Sequence, residues 1–208
     1  MKDLVSPPDL KAITTWLGTG SINLFGFPYA GKDTHGRELA ELLGAPLLGG
    51  GEILRNSTIP PHVKELIDAG FLAPIDDYIK IVTPYLGRDE FKGKPLILSS
   101  VGRWKGEEEG VISALEASGH PLKAVIFLNI TPDTVRERWR TSQSKQDRGG
   151  RVDDAEHLLD VRIDEFQNKT LPIIEHYRGM GILIEINSIM PQDEVSKEIL
   201  TQLLALSK

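Results

Sequence analysis

A chain of 208 residues carrying 24 basic and 30 acidic side chains, for a formal net charge of -6, is long enough for one α/β domain with insertions and too short for two large ones. The acidic balance argues against a general nucleic-acid binder, so any phosphate chemistry would depend on a local cationic pocket. The absence of cysteine excludes disulfides, thiolate zinc sites and a cysteine nucleophile. No stretch approaches the ~20 apolar residues of a membrane helix, and the first residues lack the apolar core of a signal peptide. The expectation is a cytoplasmic, monomeric protein that binds neither nucleic acid nor membrane.

In chain order, residues 1–20 hold Pro7, Pro8 and a short helix through Leu10, Ile13 and Leu17, an extension of no evident role. Residues 22–25 read as a buried strand, and Leu39, Leu42 and Leu43 as one face of the following helix, which stops at Gly44. Residues 45–48 suit a short second strand, after which Gly49-Gly50-Gly51 breaks the chain. A helix is expected over 52–55, another from Pro60-Pro61 to Gly70, and a third with Ile75, Ile79, Val82 and Leu86 at helical spacing. Residues 94–98 are the third strand and 107–117 a helix; residues 124–130 have the unbroken apolar character of a strand covered on both faces. Thr131-Pro132-Asp133 caps a helix to Arg140. Residues 141–150 have the composition of a loop, and a long helix runs from Asp153 to Tyr177 with a kink or break at Pro172. Residues 181–186 give the last strand and 193–206 the last helix. Alternating strands and helices imply a parallel sheet covered on both faces, with ligands at the carboxyl ends of the strands.

The segment Gly26-Phe27-Pro28-Tyr29-Ala30-Gly31-Lys32-Asp33-Thr34 lies between the first strand and its helix. A G-x-x-x-x-G-K loop in that context turns backbone N–H groups inward around phosphate oxygens, while the lysine and the helix N-terminus add positive charge. The alternative is an ordinary glycine-rich turn. The residue after the lysine is Asp33, with Thr34 next, where such loops usually place a hydroxyl that meets Mg2+. Phosphoryl transfer also needs cations around the migrating group, for which the planar, permanently charged guanidinium is suited. Candidates are Arg55, Arg103 beyond the third strand, Arg138, Arg140, and Arg148, Arg151 and Arg162 about the polar stretch. For any one of them alone, a solvated surface charge is the competing reading.

The loop, together with Gly51-Glu52-Ile53-Leu54-Arg55, Gly70-Phe71-Leu72-Ala73-Pro74, and Arg151-Val152-Asp153-Asp154 followed by Arg162, Thr170, Pro172 and Tyr177, resembles the motif series of the adenylate kinases. The resemblance covers about residues 22–195. It implies a P-loop three-layer α/β fold with a central parallel sheet of about five strands. It also implies a nucleoside monophosphate kinase domain over 21–208, with an inserted helical monophosphate-binding segment at about 49–86 and a short lid at about 138–152. It further implies ATP with Mg2+ as donor and AMP as acceptor. Gly26, Tyr29, Ala30, Gly31, Lys32, Asp33, Thr34 and Arg138 would hold ATP. Gly50, Arg55, Phe71, Leu72, Ala73, Ser100, Val101, Gly102, Arg103, Glu107, Arg151 and Arg162 would hold the monophosphate. Lys32, Arg103, Arg138, Arg151 and Arg162 would carry catalysis, and Asp33 and Thr34 would meet the metal.

The chain departs from that family where a D-G-F-P-R-T-x-x-Q motif should follow the third strand. It reads Ser99-Ser100-Val101-Gly102-Arg103-Trp104-Lys105-Gly106-Glu107. Ser99 replaces the aspartate that orients Mg2+, and Asp33 either restores a carboxylate near the metal or merely caps its helix. Glu107 replaces the glutamine that reads adenine; ionised, it only accepts, which suits a base edge with two donors such as guanine. It could equally be part of a solvated acidic helix start. Gly50 removes a side chain near the base. Alternatives are therefore a kinase for GMP or a pyrimidine monophosphate, a nucleotide-binding homologue with impaired catalysis, and a small-molecule kinase of the same fold.

Overall fold

Five parallel strands, β1 (Ser21–Gly26), β2 (Leu47–Gly49), β3 (Leu96–Ser99), β4 (Leu122–Asn129) and β5 (Leu183–Asn187), form one sheet in the order β2-β3-β1-β4-β5 in a computed structural model that describes residues 1–145 and 156–208. This is the α/β parallel-sheet arrangement that the alternation predicts. β1 lies at the centre, its Ile22 level with Ile97 of β3 and Ala124 of β4. Its residues are all buried, as expected of a strand paired on both edges and covered on both faces. Gly26, Gly49 and Ser99 end β1, β2 and β3 on the same side, so the loops that follow converge there.

Two apolar clusters surround the sheet. The first joins β1, β4 and β5 to α1 (Pro7–Leu17), α2 (Lys32–Leu43), α8 (Glu156–Glu165), α9 (Leu171–Gly179) and α10 (Gln192–Leu206). The second joins Leu96 and Leu98 of β3 to α3 (Gly50–Arg55), α4 (Pro61–Asp68), α5 (Ile75–Leu86) and α6 (Glu107–Ala117). The opening segment is built into the first cluster: Ser6 caps α1 by accepting from the Asp9 N–H, and Ile13 and Leu17 are fully buried. α2 carries Leu39, Ala40 and Leu43 inward and ends at Gly44, whose φ of 62° supplies the left-handed stop.

Three local expectations are corrected. Gly50 and Gly51 do not break the chain but form the first turn of α3. Residues 141–145, expected as loop, continue α7 (Pro132–Lys145). No Gly or Pro interrupts them, and the hydroxyls of Thr141 and Ser142, residue types that compete for the backbone elsewhere, bond back to the carbonyls of Glu137 and Trp139. The long helix expected up to Tyr177 is divided: α8 passes through a π-turn at Phe166–Thr170 before α9 begins. Pro172 has no N–H to continue an α-helical ladder and its ring crowds the carbonyl four residues back, so the turn widens and the Leu171 N–H bonds to the Phe166 carbonyl. Pro172 then sits in the first turn of α9, where a missing donor costs little. Among the described residues, no helix is long and apolar enough to cross a membrane.

Candidate active site

The converging loops enclose a cleft of about 830 Å³. One wall is the phosphate-type loop, from which Gly26, Tyr29, Gly31, Lys32, Asp33 and Thr34 face the opening. Tyr29 and Gly31 have φ of 62° and 95°. Left-handed residues alternating with right-handed ones turn successive N–H groups to one side, the geometry of an anion nest. The Lys32 ammonium folds back onto the carbonyls of Gly26 and Phe27 at 2.9 and 2.8 Å. Ala30 is fully buried and contributes backbone only; its carbonyl accepts from the Ser188 hydroxyl at 2.8 Å, a latch from the end of β5. Arg138 of α7 does not line the cleft. Its guanidinium donates to the carbonyls of Tyr29 and Ser188 at 3.2 and 2.5 Å, buttressing the loop from behind, and burial holds its pKa below the usual arginine value.

The opposite wall brings together Gly50 and Arg55 of α3, Phe71, Leu72 and Ala73 before α5, Ser100, Arg103 and Glu107 after β3, and Arg162 of α8. Val101 is fully buried and Gly102 is turned inward, so neither reaches the opening. Arg151, Arg148, Asp153 and Asp154 lie outside the described residues, as does the middle of the expected lid.

The loop that carries Arg103 is held amide by amide. The Ser100 N–H donates to the Leu24 carbonyl at 2.9 Å, that of Val101 to Asn23 Oδ1 at 3.4 Å, and that of Gly102 to Tyr78 Oη at 2.8 Å. Glu107 Oε2 then accepts from the N–H groups of both Arg103 and Trp104, at 2.7 and 3.0 Å. Ser100 takes a φ of 54°, and with Tyr29 makes up the positive-φ non-glycine residues of the described chain. Both line the cleft, a placement of backbone strain typical of functional sites.

Arg103 itself is half-buried, with its Nε shut off from solvent and unpartnered among the described residues. Burial and the neighbouring Arg162 guanidinium both work against its charge, and Glu107, Tyr78 and Glu165 only partly offset them. Such a cation is costly until an anion arrives. Glu107 is not solvated: it is 1% exposed, and burial pushes its carboxyl up to about 7 despite the amides of Arg103 and Trp104 that favour its charge. Glu165, from α8, accepts from the Leu72 N–H at 3.0 Å and pairs with Lys169, which lies over the Trp104 ring. No group of three or more His, Asp or Glu side chains able to hold a metal ion exists among the described residues. Asp33 and Thr34 offer one carboxylate and one hydroxyl, a donor set suited to a hydrated Mg2+ brought by phosphates and not to a resident ion.

Sequence reasoning missed Tyr78, Asn23, Ser188 and Glu165. Asn23 did carry a signal, a polar residue inside an otherwise apolar central strand, and its Nδ2 also donates to the Val101 carbonyl at 2.7 Å. Tyr78 reads as core in an amphipathic helix, and nothing in the pattern separates it from its neighbours.

No protein-family model matches the chain. Among known proteins, an adenylate kinase of Leifsonia xyli subsp. xyli is 31% identical over 185 residues, covering 86% of this chain and 91% of that protein. An adenylate kinase of Kocuria rhizophila is 27% identical over 185 residues, covering 86% and 96%, and one of Bacillus velezensis is 27% identical over 214 residues, covering 89% and 98%. With a strand-to-helix phosphate loop and a half-buried arginine lining one cleft, and relatives matched over almost their full length, the chain belongs to the adenylate kinase family, phosphotransferases whose acceptor is itself a phosphate group.

Proposed function

We propose that the chain transfers the terminal phosphate of ATP directly onto a nucleoside monophosphate, with AMP as the acceptor. The observation that carries this reading is the half-buried Arg103, its Nε enclosed and unpartnered among the described residues, in the same cleft as Lys32 and the nested amides of the phosphate loop. One cleft thus offers cations for two anionic tails, one at each wall. Residues 49–86 act as the monophosphate-binding segment, the region about 138–152 as a short lid, and the chain acts as a monomer.

The family resemblance suggests the roles. Lys32 and the loop amides hold the donor phosphates. Arg55 and Arg103 hold the acceptor phosphate, and Arg162, with Arg151, closes on the group in transit. An oxygen of the acceptor phosphate attacks the terminal phosphorus while the bond to the bridging oxygen breaks. The electron pair leaves with ADP, and ADP forms on the acceptor as well. No general base is required, since the attacking oxygen is already anionic. Bound with ATP, Mg2+ would screen phosphate charge, and Asp33 and Thr34 would be the side chains to meet it. Arg138, in this reading, keeps the loop in shape beside the donor.

The test is ADP formation from ATP and Mg2+ with AMP, GMP, CMP, UMP or dTMP offered in turn. The expected result is turnover with AMP, two ADP arising for each ATP consumed. A guanine acceptor is the second reading, favoured by Glu107 Oε1, which has no protein donor among the described residues and when ionised can only accept; turnover confined to GMP would establish it. Tight binding of a two-nucleotide mimic without turnover on any acceptor would refute catalysis.

A further inference from the structure

We propose that Tyr78 is a positioning residue for the acceptor side of this site: its hydroxyl, delivered from α5, holds the loop that carries Arg103 and fills the space a side chain at position 50 would take. The inference rests on the phosphotransfer reading above.

Tyr78 is 4% exposed and its Oη reaches the cleft wall, where it accepts the Gly102 N–H at 2.8 Å. The neighbouring amides of that loop are held from β1 and from α6, elements of the rigid sheet layers. Tyr78 ties the same loop to the inserted helical segment. Gly102 is buried, so without the phenol its N–H would have no partner in a place water does not reach. The next residue is Arg103, and a shift of the loop moves the guanidinium that is to meet the acceptor phosphate.

Two glycines make the reach possible. A Cβ at Gly50 would lie 2.4 Å from the Ser100 carbonyl oxygen and 3.0 Å from Tyr78 Oη, so the opening residue of α3 is glycine because the loop and the phenol already occupy that volume. A Cβ at Gly110 of α6 would meet Ile79 Cδ1 at 2.7 Å. The close approach of α5 to α6 at that point sets how far the adjacent Tyr78 extends. One hydroxyl, two missing side chains and one loop therefore form a single clasp across α3, α5 and α6. The empty position 50 is thereby explained as room made for the clasp.

The experiment replaces Tyr78 by phenylalanine in the full chain. Binding is measured by titration calorimetry of ATP, and of whichever of AMP, GMP, CMP, UMP and dTMP the unaltered chain binds most tightly, each nucleotide alone. Losing the hydroxyl while leaving a buried amide unpaired should raise the monophosphate Kd about tenfold, with the ATP Kd unchanged. Gly50→Ala should also raise the monophosphate Kd, and combining it with Tyr78→Phe should give less than the product of the two effects, because both act through residues 100–103. An unchanged monophosphate Kd in Tyr78→Phe, a parallel loss of ATP affinity, or fully multiplicative effects would overturn the proposal. An unaltered chain that binds the monophosphate yet forms no ADP would instead refute the phosphotransfer reading, and the role of Tyr78 would still be decided by the calorimetry.

Discussion

Glu107 gives the sharpest prediction, because its burial and its bonds pull in opposite directions. Burial raises its carboxyl from an ordinary 4.5 to about 7, the amides of Arg103 and Trp104 and the Arg103 charge oppose that rise, and Glu108 adds to it. At about 1.4 kcal/mol per pH unit, the folded chain binds this proton about 3 kcal/mol more tightly than the unfolded chain does. A proton held more tightly in the folded state makes stability fall as pH rises, here across the window from 4.5 to about 7. Between pH 5 and 8 that loss is about 2.5 kcal/mol. Glu107→Gln keeps a carbonyl for the two amides and cannot titrate, so the difference between the two proteins isolates this one group. In a domain of this size, about 2.5 kcal/mol corresponds to roughly 5–10 °C in Tm. Melting followed by circular dichroism without nucleotide should therefore show the wild-type Tm dropping relative to the variant by that amount from pH 5 to pH 8. A difference that stays constant across the range would mean that Glu107 is already ionised in the folded chain, and the account of its burial would be wrong.

Further outcomes follow from the phosphate loop. Gly31→Ala places a Cβ at a φ of 95° and 3.2 Å from His35 Cδ2, so it should cost about 1–3 kcal/mol of stability and raise the ATP KM while the acceptor KM stays put. Equal effects on both substrates would show that Gly31 does not serve the donor side alone. Lys32→Met should lower kcat on the order of 10²-fold with the fold retained, as judged by circular dichroism. Asp33→Gly should raise the Mg2+ concentration needed for half-maximal rate; an unchanged titration would leave Asp33 only as an acidic residue in the first turn of α2.

Much of the architecture was legible because it depends on near neighbours. The strand at residues 124–130, the loop from Gly26 to Thr34 and the helix after it announce themselves through runs, spacings and glycine positions that act within a few residues. The helix through Leu10, Ile13 and Leu17 was legible too, though its burial against the core was not. Where local rules failed, they failed for a local reason: the π-turn before Pro172 is one way among several of accommodating a proline, and residues 141–145 lacked any true helix breaker.

The acceptor wall was legible only as a set of positions. Arg55, Arg103, Glu107 and Arg162 could be named, but not that Glu107 is buried and spends one oxygen on two amides, nor that Arg103 has an unpartnered Nε. Composition, motif spacing and helical period determined the class of fold and the phosphate loop, since each is a property of contiguous residues. The grip on residues 100–102 was decided by tertiary packing, because its partners are far away along the chain: Asn23 is 78 residues from Val101 and Tyr78 is 24 from Gly102. The same holds for the latch on the phosphate loop, where Ser188 meets Ala30 across 158. A side-chain oxygen accepting a distant amide leaves no periodic trace, so only the folded chain reveals which polar residue holds which loop.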